Sequence, residues 1–174
     1  MFYYFILYFS FYSFAGWVGE VFYAYKNQKK FVNRGFLHGP FCPMYGVCMI
    51  MILILCRTFS DLNTFQFFIF ATILTAIIEY FTGLILEKLF NQKWWDYTED
   101  PFNLHGRICL HFSLMFGIVS TITVKFVHPI VISIFNNLNP KFGLFLFYFL
   151  IIYISIDFIS TLFALIENKR ATNY

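Results

Sequence analysis

The chain alternates long apolar runs with short polar connectors. The runs cover residues 2–25, 36–56, 65–86, 108–127 and 142–166. A helix needs about 20 residues, at ~1.5 Å each, to cross the hydrocarbon core of a bilayer. The pattern predicts an all-α integral membrane protein: one transmembrane domain, a bundle of about five transmembrane helices. The connectors differ in character. Residues 26–34 are basic, 57–64 form a brief polar loop, and 87–107 make the longest polar segment, in which Trp94, Trp95 and Tyr97 suit an interfacial aromatic belt. Residues 128–141, bounded by Pro129 and Pro140, are predicted as a short interfacial helix or loop.

Composition narrows the class. Hydrophobic residues make up 60% of the chain and charged residues 12%, with mean hydropathy +0.69, which excludes an ordinary soluble domain. The net charge of +3 comes from lysines and arginines scattered over connectors, so no nucleic-acid partner is expected. Their distribution sets orientation. Lys26, Lys29, Lys30, Arg34, Lys88, Lys93, Arg107, Lys169 and Arg170 fall on one side, and only Arg57, Lys125 and Lys141 on the other. The N-terminus is therefore expected outside and the C-terminus in the cytoplasm, with connectors 26–34 and 87–107 cytoplasmic. Cys42, Cys48, Cys56 and Cys109 show no CxxC spacing and read as reduced, structural thiols.

One fragment recurs. Leu37–Cys42 reads LHGPFC and Leu104–Cys109 reads LHGRIC, each following an apolar run that carries a glutamate, Glu20 or Glu79, and then a polar connector. This suggests a parallel repeat of two two-helix units plus one further helix, related by an axis along the membrane normal.

The candidate chemistry follows from membrane electrostatics. A carboxylate inside a span is costly unless paired or hydrated, so Glu20, Glu79 and Asp157 are candidates. Arg107 and His111 are four apart and would share a face near the start of the fourth span, with Arg34 and His38 as their counterparts. The expected ligand-binding set is Glu20, Asn33, Arg34, His38, Tyr45, Glu79, Asn103, Arg107 and His111, converging on a cytoplasm-facing polar cavity for an anionic or lipid-like ligand. A competing reading makes Glu20 and Glu79 neutralise Arg34 and Arg107 as structural ion pairs. His38, His105 and His111 lack a short metal-ligand spacing, so no metal is expected. No cofactor is expected either, and no P-loop, GxSxG or HExxH motif occurs. Catalytic residues are not assigned.

Four motifs carry a family resemblance: Gly16-Trp17 with Glu20, the stretch NRGFLHGPFCPMYG over residues 33–46, WWDY over 94–97, and FNLHGRICL over 102–110. Together they resemble the bacterial membrane family labelled putative ABC-transporter type IV, the CmpB-like ABC transporter permeases. Met44 and Thr98 depart mildly, standing where isoleucine and serine would be expected. The resemblance implies a multi-pass plasma-membrane permease in the lipid bilayer, with a separate ATPase subunit as partner. Two further readings stay open: an intramembrane enzyme acting on a phosphate-bearing lipid, and a structural or regulatory membrane subunit.

Overall fold

The computed structural model describes residues 2–172. It is an all-α membrane protein with the helices α1 Phe2–Gln28, α2 Pro43–Thr58, α3 Thr64–Phe90, α4 Leu110–Ile122, α5 His128–Asn136 and α6 Pro140–Thr172. A π-helical turn, Thr123–Val127, joins α4 to α5 in one 27-residue apolar rod, Leu110–Asn136. Among the described residues four helices are long and apolar enough to cross a membrane: α1, α3, α4–α5 and α6. The fifth, α2, has 16 residues; at ~24 Å it falls short of a ~30 Å hydrocarbon core.

Of the two alternatives expected at 128–141, a short helix or a loop, residues 128–136 are helical, but they continue the fourth span and are not a separate element. Pro129 sits in the first turn of α5, where its missing N–H needs no α-helical partner, and the π turn before it, closed by His128 N–H to Thr123 C=O, absorbs the change in winding.

The chain divides into two compact units, Met1–Val47 with Asn139–Tyr174, and Cys48–Leu138. In the first, α1 and α6 run parallel: Tyr3 meets Phe147 at 5.5 Å near their starts, and Phe41 touches both Phe14 (6.1 Å) and Tyr153 (5.8 Å) further along. The grouping with α6 differs from the predicted pairing of the first two spans alone.

In the second unit, α3 and α4 pack antiparallel. Asn63 caps α3 reciprocally with Gln66, at 2.9 and 3.0 Å. Ala71 and Gly117 let the backbones approach, Thr72 lies against Gly117, and Lys125 bonds the Thr64 hydroxyl. Ile52, Phe67 and Ala71 form the buried centre beside Leu55, Cys56, Leu62, Leu74 and Val124.

Both connectors fold back into the membrane depth. Cys42 N–H donates to Ser13 C=O at 2.9 Å, and Ser13 stands about 22 Å before the end of α1. That is the middle of α1, so α2 starts near mid-depth. In the second unit Tyr97 reaches Glu79, and the register set by Thr64–Lys125 brings Leu110 level with Glu79, near the middle of α3. The predicted starts at residues 36 and 108 are thus corrected to Pro43 and Leu110, because each LHG segment spends its residues on the return path. The LHG echo therefore marks the same event in each unit: a non-helical segment that delivers the next helix at mid-depth.

Candidate functional site

Non-helical backbone at membrane depth is tolerated only if its N–H and C=O groups find partners or water. In the first unit, Asn33 supplies several. Its Oδ1 accepts from Trp17 Nε1–H (2.9 Å) and Gly35 N–H (3.0 Å), and its Nδ2 donates to Leu37 C=O (3.1 Å) and His38 C=O (2.9 Å). Asp157, buried near the middle of α6, accepts from His38 N–H at 3.2 Å and Gly39 N–H at 2.9 Å, one on each oxygen. Gly39 is required by space and not by φ. A Cβ there would come within 2.5 Å of Tyr153 Oη and 2.6 Å of Asp157 Oδ2. The His38 ring bonds Thr161 Oγ1 through Nδ1 at 2.8 Å and leaves its other edge outward, the side chain 60% exposed.

Closer to the end of α1, Tyr45 Oη donates to Glu20 Oε1 at 2.6 Å. Arg34 approaches Glu20 through Nε at 3.6 Å and lies over the Tyr23 ring at 5.4 Å, and makes no hydrogen bond to any described residue. Its side chain is 29% exposed. The first unit thus holds an arginine with its donors open, beside a carboxylate already engaged by a phenol.

The second unit uses similar parts differently. Arg107 lies over Tyr80 at 5.5 Å and binds Glu87 through Nη2 at 2.7 Å and Nε at 3.0 Å. The Glu79–Arg107 pair of the competing reading is corrected: Glu87, which follows the predicted third span, lies in α3 and takes the arginine. Glu79 is buried and accepts from Tyr97 Oη at 3.1 Å.

Arg107 does not share a helix face with His111, since it precedes α4 in a short hairpin pairing Asn103 with Cys109 and Leu104 with Ile108. The turn closes by Arg107 N–H to Leu104 C=O at 3.1 Å, with His105 and Gly106 at φ of 56° and 67°. His111 is exposed and edges against Phe112. His105 Nδ1 meets Tyr80 Oη at 2.9 Å, and Asn103 holds the hairpin through Thr98 C=O, Asp100 C=O and Gly106 N–H.

Trp95 and Tyr97 are not a surface belt. Trp95 Nε1–H donates to Arg107 C=O at 2.8 Å beside Gly83, and Tyr97 stacks on Phe112. Outside the spans, the Asp96 carboxyl is held down at about 2 by the Thr98 hydroxyl first, then Lys93 and the Thr98 amide.

Among the described residues no group of three or more His, Cys, Asp or Glu side chains could hold a metal ion, and all four cysteines are free thiols. Sequence reasoning missed Glu87, and it named Asp157 as a candidate without finding that it clasps the backbone of the first connector together with Thr161. The signal for the clasp was present, since Asp157 and Thr161 are four apart in an otherwise apolar run.

These features define a polytopic membrane protein whose polar groups cluster on two re-entrant connectors. More particularly, the chain belongs to the family described as "Putative ABC-transporter type IV", whose profile matches residues 7–162. No curated protein and no solved structure matches it.

Proposed function

We propose that this protein is the membrane-spanning permease component of a transport system at the bacterial plasma membrane, and that it handles an anionic group, a small anion or the head of an anionic lipid, at Arg34. In this reading Glu20 and Tyr45 position the guanidinium, Asn33 and His38 hold the connector beneath it, and a separate ATPase subunit docks on the cytoplasmic connectors 26–34 and 87–107. Glu79, Asn103, Arg107 and His111 belong to the second connector, where Arg107 and Asn103 serve the fold. The observation that carries the proposal is the open set of donors on Arg34, held half-buried over Tyr23. A planar guanidinium with free N–H groups at membrane depth fits a phosphate or carboxylate.

The test is thermal stability in phosphatidylcholine nanodiscs, with inorganic phosphate added or with phosphatidylglycerol included, for wild type and Arg34→Gln. A stabilisation by either probe that Arg34→Gln abolishes supports the site. An equal response in both proteins overturns it, and turnover of a phosphate-bearing lipid without ATP overturns the transport reading.

A further inference from the structure

We infer that the re-entrant connector of the first unit walls a water-filled vestibule that admits small anions from the Lys26–Lys30 end down to His38 near mid-depth. The inference rests on the membrane-spanning fold and not on the transport reading. It would hold equally for an enzyme.

Depth comes first. Gly39 N–H and His38 N–H bond Asp157 near the middle of the 33-residue α6, and Cys42 N–H bonds Ser13 at the middle of the 27-residue α1. Two independent helices thus place the same segment near the bilayer centre.

Wetness comes second. The His38 ring is 60% exposed there, anchored to Thr161 by one nitrogen only, and Arg34, about 12 Å in from the end of α1, has no hydrogen bond to a described residue. Hydrocarbon cannot solvate an imidazole edge or guanidinium donors, so the groups they face must be polar.

Sign comes third. Residues 26–42 carry Lys26, Lys29, Lys30 and Arg34 and no acid. Two carboxylates face the segment, Glu20, held by Tyr45 and Arg34, and Asp157, held by two backbone N–H groups and 3.7 Å from His38 Nδ1, and the four basic side chains outnumber them. A low-dielectric cleft whose lining carries a net positive charge concentrates anions.

The experiment places a cysteine at residue 38 in a chain whose four native cysteines are alanine, and follows its modification in vesicles open to both sides by impermeant methanethiosulfonates. One reagent bears a sulfonate and the other a trimethylammonium, each rate being taken relative to a free thiol in solution. His38→Cys should react at a rate comparable to Lys30→Cys, whereas Ile152→Cys, exposed on α6, should be protected by lipid. The sulfonate should be favoured at residue 38 by about tenfold, and Lys29→Gln with Lys30→Gln should reduce that preference.

A His38→Cys chain as inert as Ile152→Cys overturns the vestibule. Modification that favours the cation overturns its anion character. If the alanine background does not assemble, the native cysteines are kept and peptide mass spectrometry reads residue 38 alone. If His38→Cys itself does not assemble, Pro40→Cys on the same segment replaces it. The two proposals fail separately, because loss of the Arg34-dependent stabilisation leaves the labelling pattern intact.

Discussion

The two connectors are built from the same kit and tuned to different ends. Each has a tyrosine hydroxyl on a helical glutamate, Tyr45 on Glu20 and Tyr97 on Glu79. Each has a tryptophan N–H pinning the returning chain, Trp17 to Asn33 and Trp95 to Arg107. Each lays an arginine over a tyrosine, at 5.4 and 5.5 Å. The difference lies in what closes them. The second connector holds itself through a hairpin and locks its arginine on Glu87. The first borrows Asp157 and Thr161 from α6 to satisfy its backbone, and its arginine stays open. A segment braced from outside can leave its own side chains available, and that is why we assign the proposed ligand-handling role to the first.

The largest test of this contrast is Asp157→Leu. Gly39 N–H near mid-depth would lose its acceptor, at about 1–3 kcal/mol, and His38 N–H would be left with Thr161 Oγ1 alone at 3.3 Å, so a loss of a few kcal/mol and of assembled protein is expected. Asp157→Asn keeps one acceptor and should fall between. Melting in detergent, read by size-exclusion, checks it. A Leu variant as stable as wild type would mean the clasp does not hold the connector.

The paired glycines come next. Gly106→Ala must adopt φ of 67°, which costs about 1–2 kcal/mol for a residue with a Cβ, and it meets Thr98 and Asp96 oxygens at 2.6 and 2.7 Å. Gly39→Ala carries no φ cost but pushes on Asp157 and Tyr153, an overpacking of about 1–3 kcal/mol. The combination Gly39→Ala with Tyr153→Phe removes one of the two close oxygens and should recover part of the loss. No such neighbour can rescue Gly106→Ala, whose cost is partly backbone. Melting of the three variants separates the mechanisms.

How much of this was legible in the sequence follows from what each feature needs. The apolar runs, the in-span carboxylates and the LHG echo were legible because each is a local pattern against an apolar background. The return of each connector was not, because apolar residues such as Phe36, Leu37 and Phe41 read as span whether they lie in helix or in a buried loop. Arg107 went to Glu87 and not Glu79 because the hairpin turns it back along α3. Spacing from His111 carries no trace of that turn.

Neutralising the two arginines should then split by role. Arg107→Gln removes two charge-assisted bonds to a carboxylate that is 32% exposed, a loss of about 1–2 kcal/mol after solvent screening, with no change in the response to phosphate or phosphatidylglycerol. Arg34→Gln should cost less than about 1 kcal/mol, because its ion pair is long and part-exposed, yet abolish that response. Melting with and without the probes measures both. The reverse assignment, a stable unresponsive Arg107→Gln beside an unstable Arg34→Gln, would exchange the roles of the units.

The smallest effect concerns acid, and it should touch the second connector through a group the first does not possess. Asp96 accepts from the Thr98 N–H at 3.0 Å and from the Thr98 hydroxyl, and Lys93 sits on its other oxygen at 2.9 Å. These bonds favour the carboxylate, lowering its pKa from 3.8 to about 2. The folded value lies below the unfolded one, so the contribution to stability is full above pH 3.8 and is lost as the pH falls through about 2. The group is fully exposed, so solvent and salt weaken the effect. The melting temperatures of wild type and Asp96→Asn should therefore differ at pH 6 and draw together between about pH 4 and pH 2. Curves that stay parallel through that window would remove Asp96 from the forces that close the hairpin, leaving Asn103 and the Leu104–Arg107 turn to hold it.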